Sequence, residues 1–417
     1  MLKAVTISFS LSTGGAGIAA DKFRRILSEN SLDYQVDSIT QNGAGKIQLL
    51  KRLISYGLGK LQFDSNPIKH SLNLFTFQPV LDSFYNHNAL HHLHWLNNDT
   101  LSIFDFNKIP PGSIITLHDE WLYCGSEHLY KLTDKSHDFT DKYTFYKKGV
   151  MGIHWNYFIW SIKYKKLAHR DDLIYTVPSS WMLERAKSSS ILKTSDIRLL
   201  PNPIDSEVFK PSTKQTITAL RSALDIDHDA FVILYSSAAG SNKLKGADIL
   251  KKALDLLRLE DLSFSHSKII LIDFGGQKGE SKLCGFRNIS SGFIDDSKYL
   301  AQIYSMADCV VVPSMVESFG QVAAESLSCS TPVICFDTSG LRDIVIHKYN
   351  GLVARAFSEK SLCDQLKKMI EISKKERQIM GQKARDHILE NFSYSIVTEK
   401  YLKILHDAII LKKNKKI

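Results

Sequence analysis

The sequence predicts an α/β chain built as two doubly wound, Rossmann-like domains, and three observations predict it. The chain has 417 residues, more than one ordinary domain holds, so two domains of roughly 200 residues each are expected. Short apolar runs of strand length alternate with amphipathic helical stretches through both halves, the pattern of parallel sheets covered by helices. Between the halves, Pro201, Pro203 and Pro211 fall within one span that no regular element tolerates.

Taken in order, strands are expected at 4–9, 114–117 and 173–177 in the first half. In the second half they are expected at 231–235, 268–273, 309–312 and 332–336. Each run ends near a turn or helix-start signal. The prolines divide the chain into a first domain at 1–200, a linker at 201–211 and a second domain at 212–391.

The bulk composition narrows the class. With 44% hydrophobic and 23% charged residues, the chain has the make-up of a globular protein with real cores, not of a disordered one. No apolar run approaches the roughly 20 residues of a membrane-spanning helix. The first ten residues read as a β-strand rather than a signal peptide, so a cytoplasmic protein is expected. The six cysteines, Cys124, Cys284, Cys309, Cys329, Cys335 and Cys363, show no CxxC spacing and read as reduced core residues, not a zinc site. The formal charge of +9 suits nucleic acid, a membrane surface or a phosphate-bearing substrate equally.

Four motifs carry chemistry. Ser12-Thr13-Gly14-Gly15-Ala16-Gly17 follows the first strand and precedes a helix expected to begin near Ile18. Glycines there let backbone N–H groups approach a phosphate or sugar at a helix N-terminus. Gly15, Gly17 and Ala20 also fit GxGxxA, with Asp37 at the distance of a ribose-binding acid. An NAD-dependent oxidoreductase is therefore a rival reading at this point, and a plain tight turn another. Second, an apolar strand delivers His118 to its C-terminal end, where open α/β sheets place ligands; a satisfied turn histidine is the alternative. Third, Lys243-Leu244-Lys245-Gly246 leads into a helix, and a lysine beside a glycine there can neutralise a diphosphate. A lone Lys-Gly pair is more often a solvated lysine. Fourth, Pro313-Ser314-Met315-Val316-Glu317-Ser318-Phe319-Gly320 is followed by a helix bearing Glu325. Two carboxylates, one on a loop and one on a helix, meet at one strand's C-terminal edge, where they suit sugar and ribose hydroxyls.

These motifs in this order resemble glycosyltransferase family 4, the retaining glycosyltransferases of GT-B fold. The resemblance runs over nearly the whole chain and continues through Val177-Pro178-Ser179-Ser180-Trp181, Pro201-Asn202-Pro203-Ile204-Asp205, Gly292-Phe293-Ile294, Thr331-Pro332-Val333 and Asn350-Gly351. Its specific part is the glutamate pair of PSxxESFG. The stretch His118-Asp119-Glu120-Trp121 resembles the subgroup that builds bacterial capsule, exopolysaccharide and O-antigen.

The resemblance implies two domains facing across a cleft, with the segment 392–417 crossing back to the first. It implies a UDP- or GDP-linked hexose-type donor and a glycan or lipid-linked acceptor. Gly14, Gly15 and Gly17 would offer backbone N–H groups to the donor phosphate or the acceptor, and His118 would touch the donor sugar. Lys243, Lys245 and Gly246 would hold the diphosphate. Glu317, with Ser318, Phe319 and Gly320, would shape the sugar pocket, and Glu325 would bind the ribose. His118, Lys245 and Glu317 are the expected catalytic set, with no cofactor and no metal.

The sequence departs from the family where an arginine usually precedes the Lys-Gly pair; here Ala239-Gly240-Ser241-Asn242-Lys243 stands, and lysine lacks arginine's bidentate fork. Ser330 replaces the glycine before Thr-Pro-Val, and of the subgroup's cysteine cluster only Cys124 remains. Three rivals persist: the oxidoreductase, which leaves Lys245, Glu317 and Glu325 without a job, a GT-B nucleotide-sugar epimerase, and a non-catalytic scaffold, which intact Glu317 and Glu325 argue against.

Residues 142–170 contain seven Lys or Arg and no acid, interleaved with Tyr143, Phe145, Tyr146, Trp155, Tyr157, Phe158, Trp160 and Tyr164. That mixture suits an anionic membrane interface at the inner face of the cell membrane, with Lys163, Lys165 and Lys166 as contacts and Lys412, Lys413, Lys415 and Lys416 as a second patch. Aromatics in the domain core beneath a solvated lysine face are the alternative of equal weight. Nothing else resembles a nucleic-acid module.

Overall fold

The computed structural model describes residues 2–30, 34–63, 68–130, 137–146, 150–237, 243–262 and 264–414. It divides into two compact units, Met1–Asn202 with Thr398–Ile417, and Pro203–Val397.

The first unit is built on a parallel sheet in the order β2-β1-β4-β5-β7-β8. Its strands are β1 (Leu2–Ser8), β2 (Tyr34–Thr40), β4 (Ala89–Leu93), β5 (Ile114–Thr116), β7 (Ile174–Val177) and β8 (Asp196–Leu199). A separate antiparallel pair joins β3 (Gln62–Phe63) to β6 (Met151–Gly152). Its helices are α1 (Gly14–Asn30), α2 (Lys46–Gly59), α3 (Gln78–Phe84), α4 (Trp155–Leu167) and α5 (Ser180–Ser188). Helix α1 turns Ala19, Ala20, Phe23, Ile26 and Leu27 inward, the spacing of one helical face.

The second unit carries a sheet in the order β11-β12-β10-β9-β13-β14-β15. It comprises β9 (Phe231–Ser236), β10 (Ile269–Phe274), β11 (Gly279–Leu283), β12 (Phe286–Ser290), β13 (Cys309–Val312), β14 (Val333–Phe336) and β15 (Gly351–Ala354). Every pairing is parallel except β11 with β12. The helices are α6 (Lys214–Ala223), α7 (Ala247–Leu259), α8 (Ser297–Met306), α9 (Gln321–Ser328), α10 (Leu341–Ile344), α11 (Glu359–Glu371) and α12 (Lys374–Asn391). Helix α7 buries Leu250, Ala253, Leu254 and Leu257, again one face. The proline-rich segment is packed rather than free: Ile204 and Phe209 lie in this unit's core, and Ile204 N–H donates to Phe392 O at 2.8 Å. The last helix, α13 (Tyr394–Asn414), belongs to the first unit from Thr398 onward.

All seven expected strands are present, with ends shifted by at most two residues. Strand β4 escaped the sequence because Ala89-Leu90-His91-His92-Leu93 reads as a polar interruption, yet all five residues are buried. Among the described residues no helix is long and apolar enough to cross a membrane.

Candidate functional site

In the second unit the central parallel strands end in loops that bring the third and fourth motifs together. Gly246 links the 3-10 turn Lys243–Lys245 to α7 with φ of +74°, and a Cβ there would stand 1.8 Å from Pro313 O. Only glycine permits so close an approach. Met315 N–H then donates to Leu244 O at 2.7 Å. This contact sets Lys245 Nζ 2.5 Å from Glu317 Oε1.

Glu317 is braced from several sides. Ser314 Oγ donates to the same carboxylate oxygen at 2.8 Å. The Glu317 N–H donates to Ser339 Oγ at 2.8 Å, and its carbonyl accepts from Gly340 N–H at 2.9 Å. Gly340 has no room for a side chain, since a Cβ would meet Ser318 O at 2.6 Å. Lys245 remains substantially exposed while the Glu317 side chain is mostly covered.

Phe319 is buried and meets Phe392 edge-on at 5.6 Å. Gly320, at φ of +111°, caps α9 without a side-chain hydrogen bond. The first N–H groups of α9 therefore carry the helix's positive end toward this loop. One turn in, Glu325 is nearly buried; Gln321 Nε2 donates to its Oε1 at 2.7 Å and Tyr304 Oη to its Oε2 at 3.3 Å. Burial, reinforced by the Glu325 charge, pushes the Tyr304 hydroxyl well above its ordinary range, so it stays a donor. The sequence reading missed Ser314, Tyr304, Ser339 and Gly340. Ser314 stands inside the PSxxESFG motif without an assigned role, and the Ser-Gly turn after β14 signals Ser339 and Gly340. Lys243 is exposed, and the stretch 238–242, where the family arginine is missing, lies outside the described residues.

In the first unit α1 begins at Gly14, not near Ile18, so the glycines form its first turn rather than a loop before it. Gly14 and Gly15 face open space, whereas a Cβ on Gly17 would press 2.9 Å from Ser10 O. Asp37 sits in mid-strand on β2, ion-paired with Lys3 at 2.6 Å, not at the strand's end where a ribose would need it. That weakens the second half of the dinucleotide pattern and disfavours the oxidoreductase reading.

His118 follows β5, and its Nε2 lies 3.0 Å from His94 Nδ1. His92 adjoins His94 at 4.0 Å between ring centres and bonds Tyr401 Oη at 2.6 Å and Thr116 Oγ1 at 2.7 Å. Burial pulls His118 down to about 4 and His92 to about 3, with the Asp119 charge opposing at His118. The imidazoles are therefore neutral at pH 7. The residues after His118 are structural. Asp119 accepts from Trp95 Nε1 at 2.9 Å and bonds His128 Nδ1 at 2.6 Å, and buried Glu120 pairs with Arg185.

The basic aromatic stretch 142–170 is corrected in part. Tyr143 and Trp160 are core residues. Lys163 is fully buried, donating to Trp121 O and, at 2.7 Å, to Gly125 O; burial lowers its ammonium to about 7. It is no surface cation. Lys412 is likewise buried and donates to Ala89 O, and Lys415 and Lys416 lie outside the described residues.

Residues 216–387 match the family model of glycosyl transferases group 1. The D-inositol 3-phosphate glycosyltransferase of Saccharomonospora viridis is 28% identical over 225 residues, covering 51% of this chain and 50% of that protein. The chain thus spans about half the length of such curated relatives. Their name does not carry the surface-polysaccharide expectation. Among solved structures, sucrose-phosphate synthase from Thermosynechococcus elongatus superposes with a TM-score of 0.66 at 16% identity, covering 98% of this chain and 100% of that one. HepE from Anabaena, solved with UDP-glucose, gives 0.64 at 18%, again covering 98% and 100%. The segment bearing Lys245, Glu317 and Glu325 thus matches the group 1 glycosyl transferases, in a chain of GT-B fold.

Proposed function

We propose that this protein is a retaining glycosyltransferase that moves a hexose-type sugar from a UDP- or GDP-linked donor to an acceptor hydroxyl. The observation that carries the reading is the Lys245–Glu317 pair beside the uncapped start of α9, with Glu325 one turn inside that helix. A cation and a helix N-terminus suit a diphosphate, and the carboxylates suit hydroxyls. Lys245, with Lys243 near it, takes the diphosphate; Glu317 and the backbone from Ser318 to Gly320 take the sugar; Glu325 takes the ribose. Gly14, Gly15 and Gly17, at the start of α1, offer N–H groups to a phosphate or the acceptor. In His118 the nitrogen turned from His94 is the one available to a sugar hydroxyl.

The bond from the sugar's anomeric carbon to the diphosphate oxygen breaks, the acceptor oxygen bonds to that carbon on the same face, which preserves the anomeric configuration, and the leaving diphosphate takes the acceptor's proton. The protein supplies positioning and charge stabilisation, and transfer proceeds without a metal.

The acceptor is a glycan or lipid-linked glycan of bacterial surface-polysaccharide assembly, and the protein works in the cytoplasm. The curated relatives' name favours a second reading, a small inositol phosphate acceptor. A thermal-shift panel of UDP, GDP, their sugars and NADH, followed by product analysis with each acceptor class in EDTA, tests both. Stabilisation by NADH alone would overturn the proposal. A sugar product formed without acceptor would indicate an epimerase instead.

A further inference from the structure

Helix α2 is amphipathic the wrong way round for a helix on a protein surface. Its buried residues are polar: Gln48 Nε2 donates to Asp99 O at 3.0 Å and Ser55 Oγ to Asp99 Oδ1 at 2.8 Å. Most of its apolar residues face outward, with Ile47 76%, Leu50 58% and Leu53 56% exposed and Leu49, Ile54 and Tyr56 also open to solvent, while Leu58 near its end packs against the core. An ordinary surface helix turns such a stripe to the core.

The exposed apolar surface continues beyond the helix. Phe63 on β3 stands in register with Met151 on β6, and the two are 61% and 73% exposed. Trp155 Nε1 donates to Leu58 O at 2.7 Å, tying the start of α4 to the end of α2. Phe145 and Tyr146, both exposed, stack on His154 just before α4. Large apolar side chains exposed together in this way mark an interaction site.

Charge identifies the occupant. From residue 38 to residue 63 the sequence has Lys46, Lys51, Arg52 and Lys60 and no acid, and 142–170 has none either. An apolar helix face on a helix that carries Lys46, Lys51 and Arg52 and no acid suits the headgroup region of an anionic bilayer. We infer that α2, with β3, β6 and the turn at Phe145–Tyr146, seats the protein on an anionic lipid surface, α2 lying in the interface plane. This places the membrane contact chiefly on α2, with Lys163 inside the fold, and does not depend on which sugar is transferred.

Co-sedimentation with vesicles of phosphatidylcholine alone, and with added phosphatidylglycerol, tests it on the full chain. Wild type should bind the anionic vesicles, less so as salt rises. Leu50→Glu with Leu53→Glu should weaken that binding about tenfold or more, while the melting temperature and its shift on adding UDP stay as in wild type. Wild type failing to sediment with anionic vesicles at low salt overturns the inference, as does a double variant that binds as wild type does. Sedimentation velocity showing a dimer that the double variant abolishes, without vesicle binding, would assign the face to a second copy and also overturn it.

Discussion

Lys245 Nζ lies 2.5 Å from Glu317 Oε1, so the cation and carboxylate assigned to diphosphate and sugar hold each other in this structure. A partly exposed pair of this kind adds only about 0–1 kcal/mol to stability. Its effect belongs to chemistry. Lys245→Ala should lower kcat by roughly two orders of magnitude with a melting temperature near wild type. Activity within a few-fold of wild type would transfer the diphosphate role to Lys243 or another cation.

Glu325 tests the nucleotide end. Its carboxylate is oriented by Gln321 and Tyr304, and on the proposed reading it accepts from ribose hydroxyls. Glu325→Ala should weaken bare UDP by about 1.5–3 kcal/mol in calorimetry, and Tyr304→Phe by less. Unchanged nucleotide affinity in Glu325→Ala would remove it from that role.

The histidines give the first unit an acid sensitivity. His118 and His91 are lowered to about 4 and His92 to about 3, each mainly by burial. The unfolded chain, with ordinary histidines near 6.5, takes up protons first as pH falls. Their stabilisation is therefore complete above about 6.5 and is lost progressively down to about 4 for His118 and His91 and about 3 for His92. Thermal melts from pH 7.5 to 4.5 should fall steadily, and less steeply in His92→Asn. Equal slopes would assign the acid sensitivity to other groups.

Lys163 and Lys165 lie two residues apart on α4 and should behave oppositely. Lys163→Met leaves the carbonyls of Trp121 and Gly125 without their donor and should cost about 2–4 kcal/mol. Exposed Lys165→Glu should stay within about 0.5 kcal/mol. Urea unfolding of both variants gives the comparison, and equal midpoints would contradict the burial of Lys163.

Gly246→Ala should cost about 2–4 kcal/mol, since a Cβ there would meet Pro313 O at φ of +74°. Relief of the clash would move Lys245 off Glu317, so turnover should fall with stability. A variant as stable as wild type would show that the loop can shift.

The sequence by itself determined the architecture. Alternating apolar runs and helical stretches are local patterns, and a buried strand such as Cys309–Val312 shows itself in four consecutive residues. It also indicated where Gly246, Glu317 and Glu325 stand, because strand ends and helix starts fix position along the chain. What only the tertiary structure decided was partnership. Whether Lys163 is a surface cation or a buried donor depends on carbonyls at Trp121 and Gly125, some forty residues away in sequence. Strand β4 was hidden because its histidines look polar until Thr116 and Tyr401 arrive to satisfy His92. The direction of the stripe on α2 is likewise not written in the sequence. Periodicity defines a face but not its direction, and direction is set by what the rest of the fold packs against: here Asp99, which draws Gln48 and Ser55 inward and leaves Leu50 and Leu53 in solvent.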